Sequence, residues 1–236
     1  MADANLLSIS SLRGGYGGKP VLQGVDLNLR EGEITAVIGR NGVGKTTLIK
    51  SIIGLLPPIS GSILFRGQEI GAMTPHRRAR LGLGYVPQGR DVFPRMSVED
   101  NLRVGESISG RRNTDFEPIY RYFPILRERR YQAAGTLSGG QQQQLAIGRV
   151  LVGDPALLLL DEPSEGIQPS IVQDIARLSV ELNKKDRLTI VLVEQNIDMI
   201  RAMAQRCYVM DKGRIVTELT PAELQDPVIV RQHLAV

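Results

Sequence analysis

Residues 39–46 read GRNGVGKT, the spacing G-x-x-x-x-G-K-[ST] of a loop whose backbone N–H groups close on phosphate. Gly39, Gly42 and Gly44 let the main chain approach an anion, with Arg40, Asn41 and Val43 at the open positions. Lys45 is expected to reach the β and γ phosphates of a nucleotide, the Thr46 hydroxyl to coordinate Mg²⁺, and Thr47 to touch phosphate as well. Further on, ALLLLDEP places two carboxylates, Asp161 and Glu162, at the end of an apolar run. Adjacent carboxylates can divide labour, Asp161 holding the Mg²⁺ shell and Glu162 polarising an attacking water. A third stretch, LSGGQQQQLAIGR, puts Ser138, Gly139, Gly140 and Gln141 at a glycine turn entering a helix, again a place that favours phosphate. One chain of 236 residues thus carries two phosphate-binding turns.

The elements that must position these residues follow from periodicity. EITAVIG is an apolar strand entering the first glycine loop, and KTTLIKSIIG a helix leaving it. VDLNLR alternates like a half-buried strand, and GSILFRGQEI reads as two short strands around Arg66-Gly67. From about residue 89 to 150 the pattern turns helical, with Ser97 ahead of Asp100 as a helix start and polar loops at GRDVFPRM and SGRRNTD. ALLLL and LTIVLV are continuous apolar runs, as in strands buried on both faces of a parallel sheet. Between them Ser170 and Gln173 are expected to form a capping box, with Ile171, Ile175, Leu178 and Leu182 on one helical face. CYVMDKGRIVTEL predicts a hairpin turning at Lys212-Gly213, and TPAEL a last helix with Pro221 first.

A net charge of +4 suits an anionic ligand or an acidic membrane surface, but without a concentrated basic stripe it does not argue for nucleic acid. The single cysteine, Cys207, excludes an internal disulfide and a cysteine-cluster metal site, and reads as a small buried hydrophobe. No apolar run approaches the roughly 18 residues of a membrane span, and MADANLLSIS lacks the features of a secretion signal. A soluble intracellular chain is expected. NKKD at 183–186 matches a guanine-reading pattern, yet it precedes a strand rather than following one, and no D-x-x-G occurs. It reads as a solvated turn.

GRNGVGKTT, YVPQ, LSGGQ and LLLLDEP occur in the order and spacing of ABC-transporter ATPase subunits, and the resemblance covers nearly the whole chain. It implies one α/β domain over 1–236: a P-loop NTPase core with a parallel sheet, an antiparallel β arm, and a helical subdomain inserted at about 89–150. It also implies ATP hydrolysis with Mg²⁺ by two cassettes paired head to tail. Ser138, Gly139, Gly140 and Gln141 of one would then grip the γ-phosphate held by the other, which accounts for the second glycine turn. In the same way Tyr16 would stack on adenine. Gln88 would contact Mg²⁺ and water and begin the segment facing the membrane subunits, including Phe93, Pro94 and Met96.

Two departures stand out. Gln195 occupies the family's switch-histidine position in VLVEQN, and SEGIQ, with Gln168, replaces the dimer-facing Ser-Ala-Leu-Asp loop. His76 and His233 lie far from the motifs and are expected at the surface. Gln195 can donate an amide N–H but cannot titrate, which leaves Glu162 as the candidate base.

These features resemble the branch serving branched-chain amino acid, urea and short-chain amide uptake in bacteria, with SEGIQPS and RQHLAV closer to the urea type. The implied partners are two membrane-spanning permeases, a second ATPase subunit or a second copy of this chain, and a solute-binding protein. Nucleic acid is not among them, and the implied location is the cytoplasmic membrane face. An exporter ATPase for lipid or lipopolysaccharide is the alternative, and a ribosome- or DNA-repair-associated ATPase a more distant one.

Overall fold

A computed structural model describes residues 5–110 and 114–234. Two sheets share the work. A six-stranded sheet has the order β10-β9-β3-β8-β7-β6, built from β3 (Ile34–Ile38), β6 (Leu83–Val86), β7 (Leu157–Asp161), β8 (Thr189–Val193), β9 (Arg206–Asp211) and β10 (Arg214–Leu219). Its first five strands in chain order run parallel, and β10 returns antiparallel on β9 through Lys212-Gly213, the hairpin expected from the sequence. Every residue of β3, β7 and β8 is buried, which is why these segments read as unbroken apolar runs.

An antiparallel four-stranded sheet, β2-β1-β4-β5, is formed by β1 (Asn5–Tyr16), β2 (Lys19–Arg30), β4 (Ser60–Phe65) and β5 (Gln68–Glu69). The β4–β5 turn falls at Arg66-Gly67 as expected, both residues left-handed. Between the sheets lies α1 (Lys45–Ile53), whose Leu48, Ile49 and Ile52 join Val37, Leu159 and Val191 in one core. The alternate residues of the same strands, Ala36, Leu158 and Ile190 among them, face the second core. The period-2 pleat therefore divides one sheet between two cores.

The second core is roofed by helices: α3 (Val98–Ser109), α4 (Glu117–Tyr122), α5 (Pro124–Glu128), α6 (Gly139–Val152), α7 (Pro169–Asp186) and α8 (Ile197–Met203). A short α2 (Pro75–Arg80) precedes β6. Its Arg78 is wholly buried and donates to the carbonyls of Ser51, Ile52, Gly71 and Met73, closing the C-terminal end of α1. Nothing in the sequence pattern had singled out that arginine. The α3 start is as read, with Ser97 accepting from the Asp100 N–H, and Cys207 is buried as expected.

Three expectations need correction. The α7 N-cap is Gln168 with Pro169 in the first turn, so Ser170 and Gln173 form no capping box. Proline's fixed φ suits that first position and starts the helix earlier. Residues 183–186 are the last turn of α7 rather than a solvated turn. Asn183 is buried there and donates to the carbonyls of Gly32 and Leu188. Finally, α9 (Pro221–Gln225) is not the last helix, because α10 (Pro227–Leu234) follows. Residues 111–113 of the SGRRNTD loop and the final two residues of RQHLAV lie outside the described residues.

Candidate functional site

In a parallel sheet every strand's carboxyl end lies at one edge, and there the motifs meet. The 39–46 loop leaves β3, Gln88 follows β6, Asp161 ends β7 with Glu162 next, and Gln195 follows β8. Residues more than a hundred positions apart become neighbours because β3, β8, β7 and β6 pair in that order.

The phosphate loop is shaped by sterics. Gly39 has φ 149°, and a Cβ there would lie 2.2 Å from the Met210 carbonyl oxygen, so no other residue fits. Gly44 caps α1 in a left-handed conformation, and no side chain accepts from the helix's first N–H groups. Those donors point at the helix N-terminus, where an anion is favoured. Lys45 is buried and its Nζ donates to the carbonyls of Gly39 (2.8 Å) and Arg40 (3.0 Å) while standing 3.9 Å from Glu162 Oε1. Burial lowers the pKa of its ammonium, opposed by the charges of Glu162, Asp161 and Glu194.

Asp161 is 1% exposed and accepts from Thr46 Oγ1 (3.1 Å) and Tyr85 OH (3.3 Å). Burial raises its carboxyl above the usual range, the Thr46 hydrogen bond opposes the rise, and the Glu162 charge adds to it. Burial, with the Asp161 charge beside it, also pushes the Tyr85 phenol up. A carboxylate and a hydroxyl converging at the mouth of a phosphate loop are hard oxygen donors of the kind Mg²⁺ takes alongside nucleotide phosphates, so the residues fit that ion.

Glu162 sits in the left-handed region at φ 48°, with its N–H on the Val193 carbonyl (2.8 Å). Two amides hold its carboxylate: Gln195 Nε2 on Oε1 (3.0 Å) and Gln88 Nε2 on Oε2 (3.2 Å). Gln195 also reaches Asn41 Oδ1 (2.6 Å), tying the loop after β8 to the phosphate loop. Gln88 is shared with Glu165 Oε2 (2.9 Å), the residue after Ser164 in loop 164–168. A carboxylate held from two sides, close to a lysine at a phosphate loop, is placed to take a proton from water.

Ser138 caps α6 in a full capping box with Gln141. Gly140 packs closely on α7, and a Cβ there would stand 2.3 Å from Ile171 Cδ1, so that side chain would have to shift. Among the described residues no hydrogen bond or ion pair joins Ser138, Gly139, Gly140 or Gln141 to the 39–47 loop. Instead this turn lies against Arg90, whose Nη2 donates to the carbonyls of Glu165 (3.0 Å) and Gly166 (3.2 Å). Tyr16 ends β1 half exposed, its ring free for a flat ligand. His76 is exposed and His233 half-buried, and neither bonds to a motif residue.

Sequence reasoning passed over Tyr85, Arg90, Glu165 and Glu194. A charged side chain directly behind an apolar strand, as in VLVEQN, is the signal that could have found Glu194, and a tyrosine inside a short strand, as in LGYV, the one that could have found Tyr85. Arg90 and Glu165 carry no such mark. A cavity of about 840 Å³ lined by Arg66, Arg80 and Arg187 lies at the opposite, amino end of the strands, away from this chemistry.

Comparison with known proteins agrees with the geometry. The family model described as ABC transporter matches residues 22–165. The chain is 40% identical over 221 residues to the high-affinity branched-chain amino acid transport ATP-binding protein BraG of Pseudomonas aeruginosa, covering 93% of this chain and 94% of that protein. It is 34% identical over 236 residues to the lipopolysaccharide export system ATP-binding protein LptB of Escherichia coli, covering 97% and 96%. Its backbone superposes on the crystal structure of the ADP conformation of MJ1267, an ATP-binding cassette of an ABC transporter, with a TM-score of 0.81 at 28% identity, covering 97% and 98%. With the phosphate loop, paired carboxylates and glycine turn set on one cassette fold, the chain belongs to the ABC transporter family as one of its ATPases.

Proposed function

We propose that the chain powers a bacterial importer of branched-chain amino acids, urea or short-chain amides from the cytoplasmic face of the membrane. No helix among the described residues is long and apolar enough to cross a bilayer, and in this reading two membrane-spanning permeases supply the path. The observation that carries the reading is the 40% identity to BraG over nearly the full length of both chains.

In this reading the N–H groups of the 39–47 loop and Lys45 hold the β and γ phosphates of ATP, and Tyr16 stacks on the adenine. Thr46, Asp161 and Gln88 would hold Mg²⁺, which would neutralise phosphate charge. Glu162 takes the proton of the attacking water, and Gln195 steadies its carboxylate against Asn41. Ser138, Gly139, Gly140 and Gln141 serve the nucleotide of a second cassette, whether a copy of this chain or a different ATPase subunit; that no hydrogen bond or ion pair among the described residues joins them to their own phosphate loop supports this. Residues 89–101 line the groove that receives a helix of the permease. Phe93 is exposed there, under the Arg149 guanidinium, while the buried Asn101 clamps its backbone N–H and C=O.

The test is ATP turnover by the chain in proteoliposomes with two permeases, a second ATPase and a solute-binding protein of the branched-chain amino acid, urea or amide type. Leucine, urea or acetamide should stimulate turnover several-fold, and Phe93→Asp should abolish that stimulation while sparing basal turnover. Stimulation by lipopolysaccharide, with none by those solutes, would establish the exporter reading, which the full-length 34% identity to LptB supports.

A further inference from the structure

We infer that Glu194 is a positioning residue that sets the distance between Gln195 and Glu162 by tying the loop after β8 to Ser164. The inference rests on the reading of Gln195 as the group that steadies Glu162. Glu194 follows directly on the last buried residue of β8 and is itself 3% exposed. Its Oε1 accepts from Ser164 Oγ (2.8 Å), the Gln195 N–H (2.9 Å) and the Asn196 N–H (3.0 Å). Its Oε2 accepts from the Ser164 N–H (3.2 Å). All four partners are donors, a set that a carboxylate satisfies in full because it only accepts. An amide of the same shape would turn an NH₂ toward one of those donors.

These bonds fix two backbone segments at once. Gln195 and Asn196 are held by their main-chain N–H groups, and Asn196 is pinned on its other side by capping α8 through the Met199 N–H (3.0 Å). Ser164 stands two residues beyond Glu162, whose own N–H is bonded to Val193, immediately before Glu194. The base and the amide that steadies it therefore hang from opposite sides of one buried carboxylate. Moving that carboxylate moves Gln195 relative to Glu162, while the phosphate loop keeps its own hold through Lys45 on the Gly39 and Arg40 carbonyls. Glu194 shares no hydrogen bond with Lys45 or Thr46, and reaches the phosphate loop only through its charge on Lys45 and the Gln195–Asn41 hydrogen bond, so its effect on nucleotide affinity is small beside its effect on turnover.

A double-mutant cycle on ATP turnover by the full chain tests this, with nucleotide affinity and melting temperature measured on every variant. Glu194→Gln should lower kcat about tenfold or more, as misplacing a reacting group does, with ATP affinity within about threefold of the parent. In the Gln195→Ala background the same substitution should change kcat less than about twofold, because the group it acts through is gone. Ser164→Ala removes one donor and leaves the carboxylate in place. It should lower kcat about two- to fivefold in the parent and have no effect beside Gln195→Ala, and it decides the matter should Glu194→Gln not fold. Equal losses in both backgrounds, or no loss in the parent, overturn the positioning role while leaving that of Gln195 intact. Parental turnover by Gln195→Ala overturns the reading of Gln195 and this inference with it.

Discussion

Placing a glutamate at position 139 separates the two glycine turns by experiment. Gly139 is the first residue of α6 and does not have a positive φ, so the backbone accepts a side chain. A Cβ there would meet Arg90 Nη1 and Nη2 at 3.1 Å and Cζ at 3.2 Å, the far end of a flexible side chain that can give by a few tenths of an ångström. An acid in the first turn of a helix is itself favourable by about 0.3–1 kcal/mol. Gly139→Glu should therefore fold normally. ATP affinity of the isolated chain should stay within about threefold of the parent, since the turn shares no bond with the 39–47 loop. Closing a second cassette on that turn is another matter. A carboxylate about 4 Å from a γ-phosphate costs roughly 4 kcal/mol per pair of charges at an effective dielectric of about 20. If Arg90 beside it cancels half, about 2 kcal/mol remains, or roughly 30-fold per site and about a thousandfold over two sites. The assays are nucleotide affinity of the isolated variant and mass by light scattering with ATP in the Glu162→Gln background. The second ATPase subunit is added where the working pair is mixed. Loss of ATP binding by the isolated variant would mean that both turns serve one nucleotide in one chain. An undiminished closed pair would equally refute the reasoning.

Three further outcomes are expected. Glu162→Gln should keep ATP binding and cut turnover by about 10²–10⁴, the worth of a positioned base, and turnover within threefold of the parent would remove Glu162 from that role. Gln195→Ala should lower turnover, while Gln195→His should keep or raise it and add an inflection between about pH 6 and 8 that the parent lacks. A parent profile that loses such an inflection on Gln195→Ala would contradict the assignment. Because burial raises the Asp161 carboxyl in the folded chain, its ionisation opposes folding above that raised value, and the opposition fades as pH falls toward the unfolded carboxylate's range. Asp161→Asn should thus melt higher than the nucleotide-free parent at pH 7.5, with the gap narrowing toward pH 4, while Mg²⁺-dependent turnover is lost. A lower melting temperature at pH 7.5 would show that the Thr46 and Tyr85 hydrogen bonds outweigh the burial.

The chemistry-bearing residues were legible because their constraints are local. A loop that must wrap phosphate needs glycines at fixed spacing, as at Gly39 and Gly44, and a strand buried on both faces needs the unbroken apolar run before Asp161. The β9–β10 hairpin and the Ser97 helix start likewise follow from neighbouring residues. The local failures had two causes. Pro169 started α7 ahead of the expected Ser170, a competition between neighbours, and Asn183 was drawn into the core by the nearby Leu188 carbonyl and by that of Gly32, which only the folded chain brings near it.

Sequence alone therefore determined which groups are the candidates for chemistry: the phosphate loop, the two carboxylates and the second glycine turn are each written in a short contiguous stretch. Only the tertiary structure decided how they act on one another. The strand order β3-β8-β7-β6 sets Glu162 between Gln195 and Gln88, and it joins Gln88 to Glu165 and Ser164 to Glu194. Such contacts depend on which strands pair. Pairing is fixed by burying apolar faces across the whole sheet, a property that no single stretch of the chain contains.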